Sequence, residues 1–382
     1  MIVGILKEIK AEENRVCMTP AGAEVMKHNG HTVLVEKNAG AGSGFLDGDY
    51  LHAGAEIIDT AREIYERSEM VMHVKEPQRS EYGLIRKDQI VFTYLHLAAE
   101  RELTEALIKT ESVCIAYETI QKDDGSLPLL IPMSEVAGRM AIQQGAKYLE
   151  MAQGGHGVLL GGVPGVDSGM VVVIGGGIVG TNAAKIACGL GAKVYLLDMN
   201  LDRLRYLSDV MPSNCFLLYA NPATLRDLIT RADVVIGAVL VPGAKAPKLV
   251  TRDMVKTMRK GSVLVDVAID QGGCFETSRP TTHSDPIFVV DGVVHYCVAN
   301  MPGAVAKTST QALTNATLPY AVQIANKGWK RAMLESPEIA RGANVVNGKV
   351  TYKGVADAFG LDLAPVEKLL SASSAAGRSS IG

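Results

Sequence analysis

The chain has 382 residues, of which 47% are hydrophobic and 21% charged, with a formal net charge of −3 at pH 7. This length predicts two domains with a cleft between them, and this composition excludes a disordered chain and a basic nucleic-acid-binding protein. No run reaches the ~20 apolar residues of a membrane span, and the six cysteines include no C-x-x-C pair, so we expect a cytoplasmic protein with free thiols, no metal site and no membrane partner.

The first 128 residues alternate apolar β-forming runs with helix-like segments. The runs are M-I-V-G-I-L, T-V-L-V-E, M-V-M-H-V-K, I-V-F-T-Y-L-H and S-V-C-I-A-Y-E. Thr19 before Pro20 is a good helix N-cap followed by proline at the first helical position. This alternation is typical of a parallel sheet with crossover helices. A helical stretch from Ser134 to Met151 and a glycine-rich loop after it predict a domain boundary near residue 128.

The second half repeats the pattern as a complete doubly wound domain with six strands, over residues 129–304. The long helical stretch past Met301 belongs more naturally to the first domain than to this finished sheet. The predicted fold is therefore α/β, with two doubly wound Rossmann-like domains, one of them inserted into the other. Residues 1–128 and 305–370 form the first domain, and residues 371–382, which are small and polar, form a flexible tail.

The run V-V-V-I-G-G-G-I-V-G contains the pattern G-x-G-x-x-G directly after a strand and at the start of a helix. Its glycines are Gly175, Gly177 and Gly180. They permit a tight turn, close approach of the backbone to a pyrophosphate, and close packing of helix on strand. Asp198 ends the next strand, where a carboxylate binds ribose hydroxyls and repels a 2′-phosphate. The pattern predicts a dinucleotide site that favours NAD, although Arg203 and Arg205 nearby leave NADP open.

Cationic residues and a histidine follow strands of the first domain. Arg15 comes after the first strand, Lys75 after M-V-M-H-V, and His96 at the end of I-V-F-T-Y-L-H. Ligands of open α/β sheets bind beyond the carboxyl ends of the strands, so these residues predict a site for a small anion that undergoes proton transfer. In the second domain Asp270 ends the strand run G-S-V-L-V-D-V-A-I-D and is expected to orient or charge-balance a catalytic group.

Several of these motifs together resemble bacterial alanine dehydrogenases, over nearly the whole chain to about residue 370. They are E-E-N-R-V, T-P-A-G, H-V-K-E-P, Y-L-H-L-A, G-V-L-L-G-G-V-P-G-V, D-V-A-I-D-Q-G-G and V-A-N-M-P-G-A-V. The resemblance implies reversible NAD-dependent oxidative deamination of L-alanine to pyruvate and ammonium, by a homohexamer whose NAD-binding domain is inserted into the substrate domain. It implies that Arg15 and Lys75 bind the substrate and that His96 and Asp270 are catalytic.

The same resemblance implies a set of cofactor contacts besides the three glycines. These are Ser134, Ile178, Val179, Asp198, Arg203, Ala220, Val239, Leu240, Val267, Ala268, Ile269, Asp270, Arg279, Val298, Ala299, Asn300 and Met301.

Three alternatives stay open on the sequence alone. The NAD(H)-binding component of a proton-translocating transhydrogenase resembles the same length of chain, although it would not need Arg15, Lys75, His96 and Asp270 together. An NAD-sensing regulator is a second alternative. The third keeps the chemistry but acts on serine, glycine or an N-methyl amino acid, because one methylene or hydroxyl changes binding by only ~1 to 3 kcal/mol in a small pocket.

Overall fold

The structure is a computed structural model that describes residues 1–239 and 246–370. The chain divides into two compact units, the first made of Met1–Met133 with the residues from Val305 onwards, and the second of Ser134–Ala304. The second unit is thus inserted into the first, and its first residue lies five positions after the predicted start at residue 129. The predicted tail, residues 371–382, and the predicted cofactor contact Leu240 lie outside the described residues.

The strands within the described residues are, in chain order, β1 Ile2–Ile5, β2 Thr32–Glu36, β3 Glu56–Ile58, β4 Met70–Met72, β5 Ile90–Thr93, β6 Val113–Ala116, β7 Met170–Ile174, β8 Lys193–Asp198, β9 Cys215–Tyr219, β10 Val234–Gly237, β11 Val263–Asp266, β12 Ile287–Val290, β13 Val293–Tyr296, β14 Ala343–Val346 and β15 Lys349–Val350. The α-helices are α1 Pro20–His28, α2 Asp47–His52, α3 Ala61–Arg67, α4 Arg101–Thr110, α5 Ile131–Tyr148, α6 Ile178–Gly189, α7 Leu201–Val210, α8 Pro222–Ile229, α9 Arg252–Lys256, α10 Ala306–Glu335, α11 Pro337–Arg341 and α12 Lys353–Phe359.

The first unit contains an eight-stranded sheet in the order β15-β14-β6-β5-β4-β1-β2-β3. Its six N-terminal strands pair in parallel, whereas β14 and β15 pair antiparallel at one end. Strands β4, β5 and β6 are buried throughout, which explains their continuous apolar runs. The strand order reverses between β1 and β4. In doubly wound sheets a ligand binds beyond the carboxyl ends of the strands at this switch point.

Helix α10 lies in the first unit, and it contacts the loop that follows β1. Thr310 accepts a hydrogen bond from the backbone N–H of Val16 at 3.1 Å, and its hydroxyl lies 2.8 Å from that of Ser43. Gly328, with φ 72° and ψ 154°, interrupts α10. Helix α1 begins as predicted, because the Thr19 hydroxyl accepts from the N–H of Gly22 and Pro20 occupies the first helical position. These contacts fix the chain directly after Arg15.

The second unit contains a seven-stranded sheet in the order β12-β13-β11-β10-β7-β8-β9. All pairs are parallel except β12 with β13. The doubly wound α/β fold class is confirmed, but the predicted count of six strands is wrong. Strands β9 and β12 lie at the two edges and are only partly buried, although their residues, C-F-L-L-Y and I-F-V-V, are apolar. The switch point of this sheet lies between β7 and β10.

The cysteines agree with the prediction of free thiols. All six cysteines are free thiols, and each except Cys215 is buried. Within residues 1–239 and 246–370, none of the helices combines the length and the apolar character that crossing a bilayer requires.

Candidate active site

Arg15, Lys75 and His96 follow three neighbouring parallel strands of the first unit, β1, β4 and β5. Because parallel strands end at the same edge of the sheet, all three loops lie at the switch-point edge. The sequence analysis placed His96 at the end of the strand, but β5 ends at Thr93. His96 therefore lies in the loop, three residues after the strand. The structure therefore brings the three predicted residues of this unit to one edge.

Arg15 is a buried cation. Its side chain is 2% exposed, and its Nε and Nη2 donate to the two carboxylate oxygens of Glu13 at 2.7 and 2.5 Å. Nη1 lies 3.1 Å from the sulfur of Met133. Burial alone would lower the pKa of Arg15, but the hydrogen bond and charge of Glu13 outweigh it and the pKa is raised. The guanidinium is therefore permanently charged, with its Nε–Nη2 edge bound to Glu13.

Lys75 is mostly buried, and its backbone is anchored on both sides. Its carbonyl accepts from the Thr93 hydroxyl at 2.9 Å, while the N–H groups of Val74 and Lys75 donate to the two oxygens of Glu8 at 2.6 and 3.4 Å. Burial lowers the pKa of Lys75, and the neighbouring charge of Arg15 lowers it further. An anion bound by both cations would relieve their mutual repulsion.

A buried imidazole lies two residues before Lys75. His73 lies between the carboxylates of Glu8 and Glu81, with nitrogen–oxygen distances of 3.4 and 3.5 Å, and 3.0 Å from the hydroxyl of Tyr65. Burial would lower the pKa of His73, but the two glutamates raise it overall. The buried charges on this side of the site are therefore compensated within one network, which supports the strand end that carries Lys75.

His96 has an uncommon backbone conformation, with φ 51° and ψ 34° in the left-handed region. Its N–H donates to Glu118 at 2.6 Å, and its ring stacks on that of Tyr94 with centroids 5.9 Å apart. The Tyr94 hydroxyl donates to the carbonyl of Leu129 at 2.6 Å. The imidazole itself is exposed, so it is accessible to solvent and to a small substrate.

The glycines of G-x-G-x-x-G in the second unit have the geometry that a dinucleotide requires. Gly175 has φ +103°, a conformation that side chains disfavour. A Cβ on Gly180 would lie 1.8 Å from the carbonyl oxygen of Gly175, whereas a Cβ on Gly177 would meet nothing within 4 Å. The first glycine thus makes the turn, the third packs the helix on the strand, and the second leaves open space at the start of α6. The residues present fit NAD(H), with the pyrophosphate at the N-terminus of this helix.

Asp198 and Arg203 lie against the same turn. The Asp198 carboxylate, at the end of β8, accepts from the N–H groups of Gly176 and Asn200 at 2.6 and 2.7 Å. Arg203 donates from Nε to the Gly176 carbonyl and from Nη2 to the Thr181 hydroxyl. Asp198 thus lies at the end of the strand after the glycine turn, where the acidic residue of the G-x-G-x-x-G fingerprint binds ribose. The guanidinium of Arg203 is bound to the glycine turn itself.

The loop that contains Asp270 is organised around a different aspartate. Strand β11 ends at Asp266, so Asp270 lies in a short 3₁₀ turn, Ile269–Gln271, rather than at the strand end as expected. The buried Asp266 carboxylate accepts from the N–H groups of Cys274 and Phe275 and from the Ser278 hydroxyl. Burial raises the pKa of Asp266, against these hydrogen bonds. Asp270 is exposed on the turn that this loop supports.

The other predicted cofactor contacts lie at several places in the second unit. Ala220 donates its N–H to the Asp198 carbonyl, and Val267 donates to that of Gly237, next to the Gly175 turn. Arg279 lies over the ring of Phe288 in the edge strand β12, 4.3 Å from its centroid, and so belongs to a separate part of the sheet. The remaining members are half-buried Ser134, Val179, Val239, Ala299 and Asn300, exposed Ile178, and buried Ala268, Ile269, Val298 and Met301.

Three carboxylates of these loops were missed in the sequence analysis: Glu13, Glu118 and Asp266. Each accepts hydrogen bonds from a loop that contains a candidate residue. Asp266 had a visible signal, since it is a lone acid within the apolar run V-L-V-D-V-A-I. Glu118 also had a visible signal, since it is the acid that ends the apolar run S-V-C-I-A-Y-E. Glu13 follows Glu12 in a polar loop and has no local pattern that separates it from solvated surface acids.

Family models match almost the entire chain. The model described as alanine dehydrogenase/PNT, N-terminal domain, matches residues 4–137, and that described as alanine dehydrogenase/PNT, C-terminal domain, matches residues 141–353.

Relatives in sequence and structure agree with these models. An alanine dehydrogenase of Methanococcus maripaludis is 57% identical over 371 residues, and one of Halomonas elongata is 54% identical over 370, each aligned over 97% of this chain and 100% of its own. A solved L-alanine dehydrogenase structure matches with a TM-score of 0.92 and 52% identity, over 94% of this chain and 99% of its own. A transhydrogenase of Sinorhizobium meliloti matches with a TM-score of 0.80 at 23% identity, over 92% and 99% of the two chains.

Proposed function

The chain belongs to the alanine dehydrogenase/PNT family, and from that premise we propose how its residues divide the work of the reaction. It is an NAD-dependent amino-acid dehydrogenase that oxidatively deaminates L-alanine to pyruvate and ammonium. The observation that carries the assignment of residues is the convergence of Arg15, Lys75 and His96 on the switch-point edge of the first unit.

Arg15 and Lys75 bind the substrate carboxylate in this proposal. Glu13 binds the Nε–Nη2 edge of Arg15 and holds the guanidinium in place, with Nη1 beside the sulfur of Met133. Two charges in a mostly buried position orient a small anion more strongly than they would in water. Fixing the orientation of the substrate can contribute on the order of 7 to 11 kcal/mol to catalysis.

His96 and Asp270 serve the proton transfers. Bound NAD⁺ supplies the chemistry of hydride acceptance from the substrate Cα. Conversion of the amine to a ketone then requires addition of water to an imine and collapse of a carbinolamine, and each step moves a proton. The exposed imidazole of His96 is suited to carry these protons near neutral pH. Asp270, a carboxylate of the inserted unit, would orient water or ammonia and stabilise the cationic species.

The inserted unit binds NAD(H) through the glycine turn and Asp198. The N–H groups at the start of α6 bind the pyrophosphate, and the carboxylate of Asp198 binds the adenosine ribose hydroxyls. Ser134, Arg203, Arg279 and the segments after β11 and β13 complete the contacts. In this assignment Arg203 stabilises the glycine turn, because its guanidinium donates hydrogen bonds to Gly176 and Thr181. It does not bind a 2′-phosphate.

Asp198→Ala should weaken NAD binding and reduce the preference for NAD over NADP. The substitution removes the ribose acceptors and the negative charge that repels a 2′-phosphate, and it also removes the acceptor for the Gly176 N–H. Dissociation constants for NADH and NADPH, measured by fluorescence titration, check this. Asp202→Ala, an exposed acid of α7 that pairs with Arg205, is the matched control. A parental ratio in Asp198→Ala would remove Asp198 from ribose binding.

Binding of pyruvate should weaken on the alkaline side at a pH below the ordinary lysine range. Lys75 binds the carboxylate only when protonated, and burial together with Arg15 lowers its pKa, so the cation is lost earlier as the pH rises. The pH dependence of kcat/KM for pyruvate at saturating NADH measures this. Lys75→Arg should displace the alkaline limb upward, since arginine stays charged. If the alkaline limb of the kcat/KM profile lies at the same pH in the parent and in Lys75→Arg, a group other than Lys75 causes the loss of pyruvate binding.

The direct test of the function is NADH formation by the purified chain with L-alanine and no partner protein. We expect activity with alanine above that with serine, glycine or N-methylalanine. Reduction of NAD by none of these amino acids, together with hydride exchange between two nucleotides, would instead support the transhydrogenase alternative.

We also propose that the chain is a cytoplasmic homohexamer, as its family resemblance implies. Light scattering of the purified protein in solution measures the mass of the assembly.

A further inference from the structure

The backbone of His96 needs an explanation that the reaction does not supply. A residue with a Cβ is uncommon in the left-handed region, where glycine is preferred and asparagine, aspartate and histidine are enriched among the others. Such a conformation persists only when surrounding interactions over-determine it, and it clusters at functional sites. His96 has this conformation at the residue preceding the 3₁₀ turn Leu97–Ala99, and its position sets the direction in which the imidazole leaves the chain.

A carboxylate from the neighbouring strand supplies the determining interaction. Strands β5 and β6 pair in parallel with Thr93 opposite Ala116, so the residues that follow them lie side by side. Glu118, two residues past Ala116, accepts from the N–H of Leu95 with both oxygens, at 3.1 and 3.2 Å, and from the N–H of His96 at 2.6 Å. Charge-assisted bonds to two successive N–H groups are stronger than neutral ones, and the second of them fixes the peptide plane that precedes His96. The plane that follows His96 is held by the hydrogen bond that its carbonyl accepts from the N–H of Ala99 at 3.0 Å, so the two together hold both dihedrals of His96.

The ring of His96 is oriented from the other side by Tyr94. The two rings are stacked at 29°, and the tyrosine is itself anchored by its hydrogen bond to Leu129. Tyr94 also makes an edge contact with the buried ring of Tyr117, the residue before Glu118. The backbone bonds of Glu118 and the ring stack therefore restrain one loop at two points, although the imidazole is exposed.

We propose that Glu118 is a positioning residue for proton transfer, which acts by holding the backbone of His96 in its left-handed conformation. The proposal rests on the proposed role of His96. It assigns Glu118 no contact with substrate, because its oxygens face the N–H groups of Leu95 and His96. Loss of the carboxylate lets this segment relax toward ordinary dihedrals and moves the imidazole away from the substrate.

The test is a double-mutant cycle of kcat between Glu118 and His96. Glu118→Ala should lower kcat by about 10- to 100-fold, since a misplacement near 1 Å can cost about that factor. Glu118→Gln should lie between Glu118→Ala and the parent, because its amide oxygen still accepts from the His96 N–H. In the His96→Ala background, Glu118→Ala should change kcat less than about twofold, because residues that act as a unit are not additive.

Two further measurements separate positioning from a general loss of structure. The dissociation constant for NADH should be parental in both Glu118 variants, and the His96 ring resonance, identified by its absence in His96→Ala, should shift in Glu118→Ala. Glu105→Gln, an exposed helical carboxylate that pairs with Arg101, is the matched control and should keep the parental kcat. If Glu118→Ala does not fold, the double-mutant cycle with His96→Ala is measured with Glu118→Gln instead.

The outcomes distinguish an error in the role of Glu118 from an error in the proposed role of His96. A parental kcat in the Glu118 variants with an impaired His96→Ala enzyme overturns the positioning role alone. Equal fold losses from Glu118→Ala with and without His96 also overturn it, because Glu118 would then act independently of the imidazole. A His96→Ala enzyme with nearly parental turnover overturns both this inference and the proposed role of His96.

Discussion

His96→Ala should lower turnover by roughly 10²- to 10⁴-fold, the range that general acid–base catalysis contributes. The substitution removes the exposed imidazole, while Glu118 still binds the backbone at residue 96. The affinity for NADH should stay near the parental value, because His96 belongs to the first unit and the glycine turn to the second. Steady-state kinetics with L-alanine and fluorescence titration with NADH measure the two quantities.

Asp270→Asn should also lower turnover strongly, because it removes a charge while nearly keeping the shape. If His96 and Asp270 serve the same proton transfers, the double variant should be little worse than the poorer single variant. Additive losses would instead assign the two residues to independent steps. Asp253→Asn, an exposed aspartate that pairs with Lys256, controls for the chemical change and should leave turnover unaltered.

Arg15→Lys should raise the Michaelis constants for pyruvate and alanine by roughly 10- to 100-fold, and far more than that for NAD. Lysine keeps the charge but loses the planar fork, and a lost hydrogen bond to a charged partner typically costs about 1.5 to 3 kcal/mol. The effect is enlarged because Glu13, 1% exposed, loses its two-point partner. Initial rates with each substrate varied in turn measure the separate constants.

A matched substitution distinguishes this effect from a general effect of lysine. Arg62→Lys changes an exposed arginine that pairs with Glu66 on α3, and it should leave all three constants near parental values. Thermal unfolding of Arg15→Lys should accompany the kinetics, since it disrupts a buried ion pair. A folded Arg15→Lys enzyme with a parental constant for pyruvate would place the carboxylate site elsewhere.

The edge strands show where sequence reasoning about the fold ends. The central strands were recognisable because both of their faces are buried, so their apolar runs are continuous. Strand β9 is C-F-L-L-Y, with no fully buried residue, and β15 has only two residues. The apolar residues of β9 are compatible with a strand, but its place at the edge of the sheet and the two-residue β15 follow only from pairing with a neighbour already in the sheet.

By itself the sequence determined the α/β class, the dinucleotide turn and the identities of the candidate residues, because these depend on local patterns: apolar runs, glycine spacing, and charged residues that follow strands. Only the tertiary structure decided which residues support them. Glu118 is 22 residues from His96 and Glu8 is 67 residues from Lys75. Glu118 follows β6, which pairs in parallel with β5, and Glu8 follows β1, which pairs in parallel with β4. Each glutamate therefore lies next to the loop that follows the neighbouring strand. The physical reason is that sheet pairing joins segments distant in the chain, so the residues around an acid do not show which N–H groups of another strand it binds.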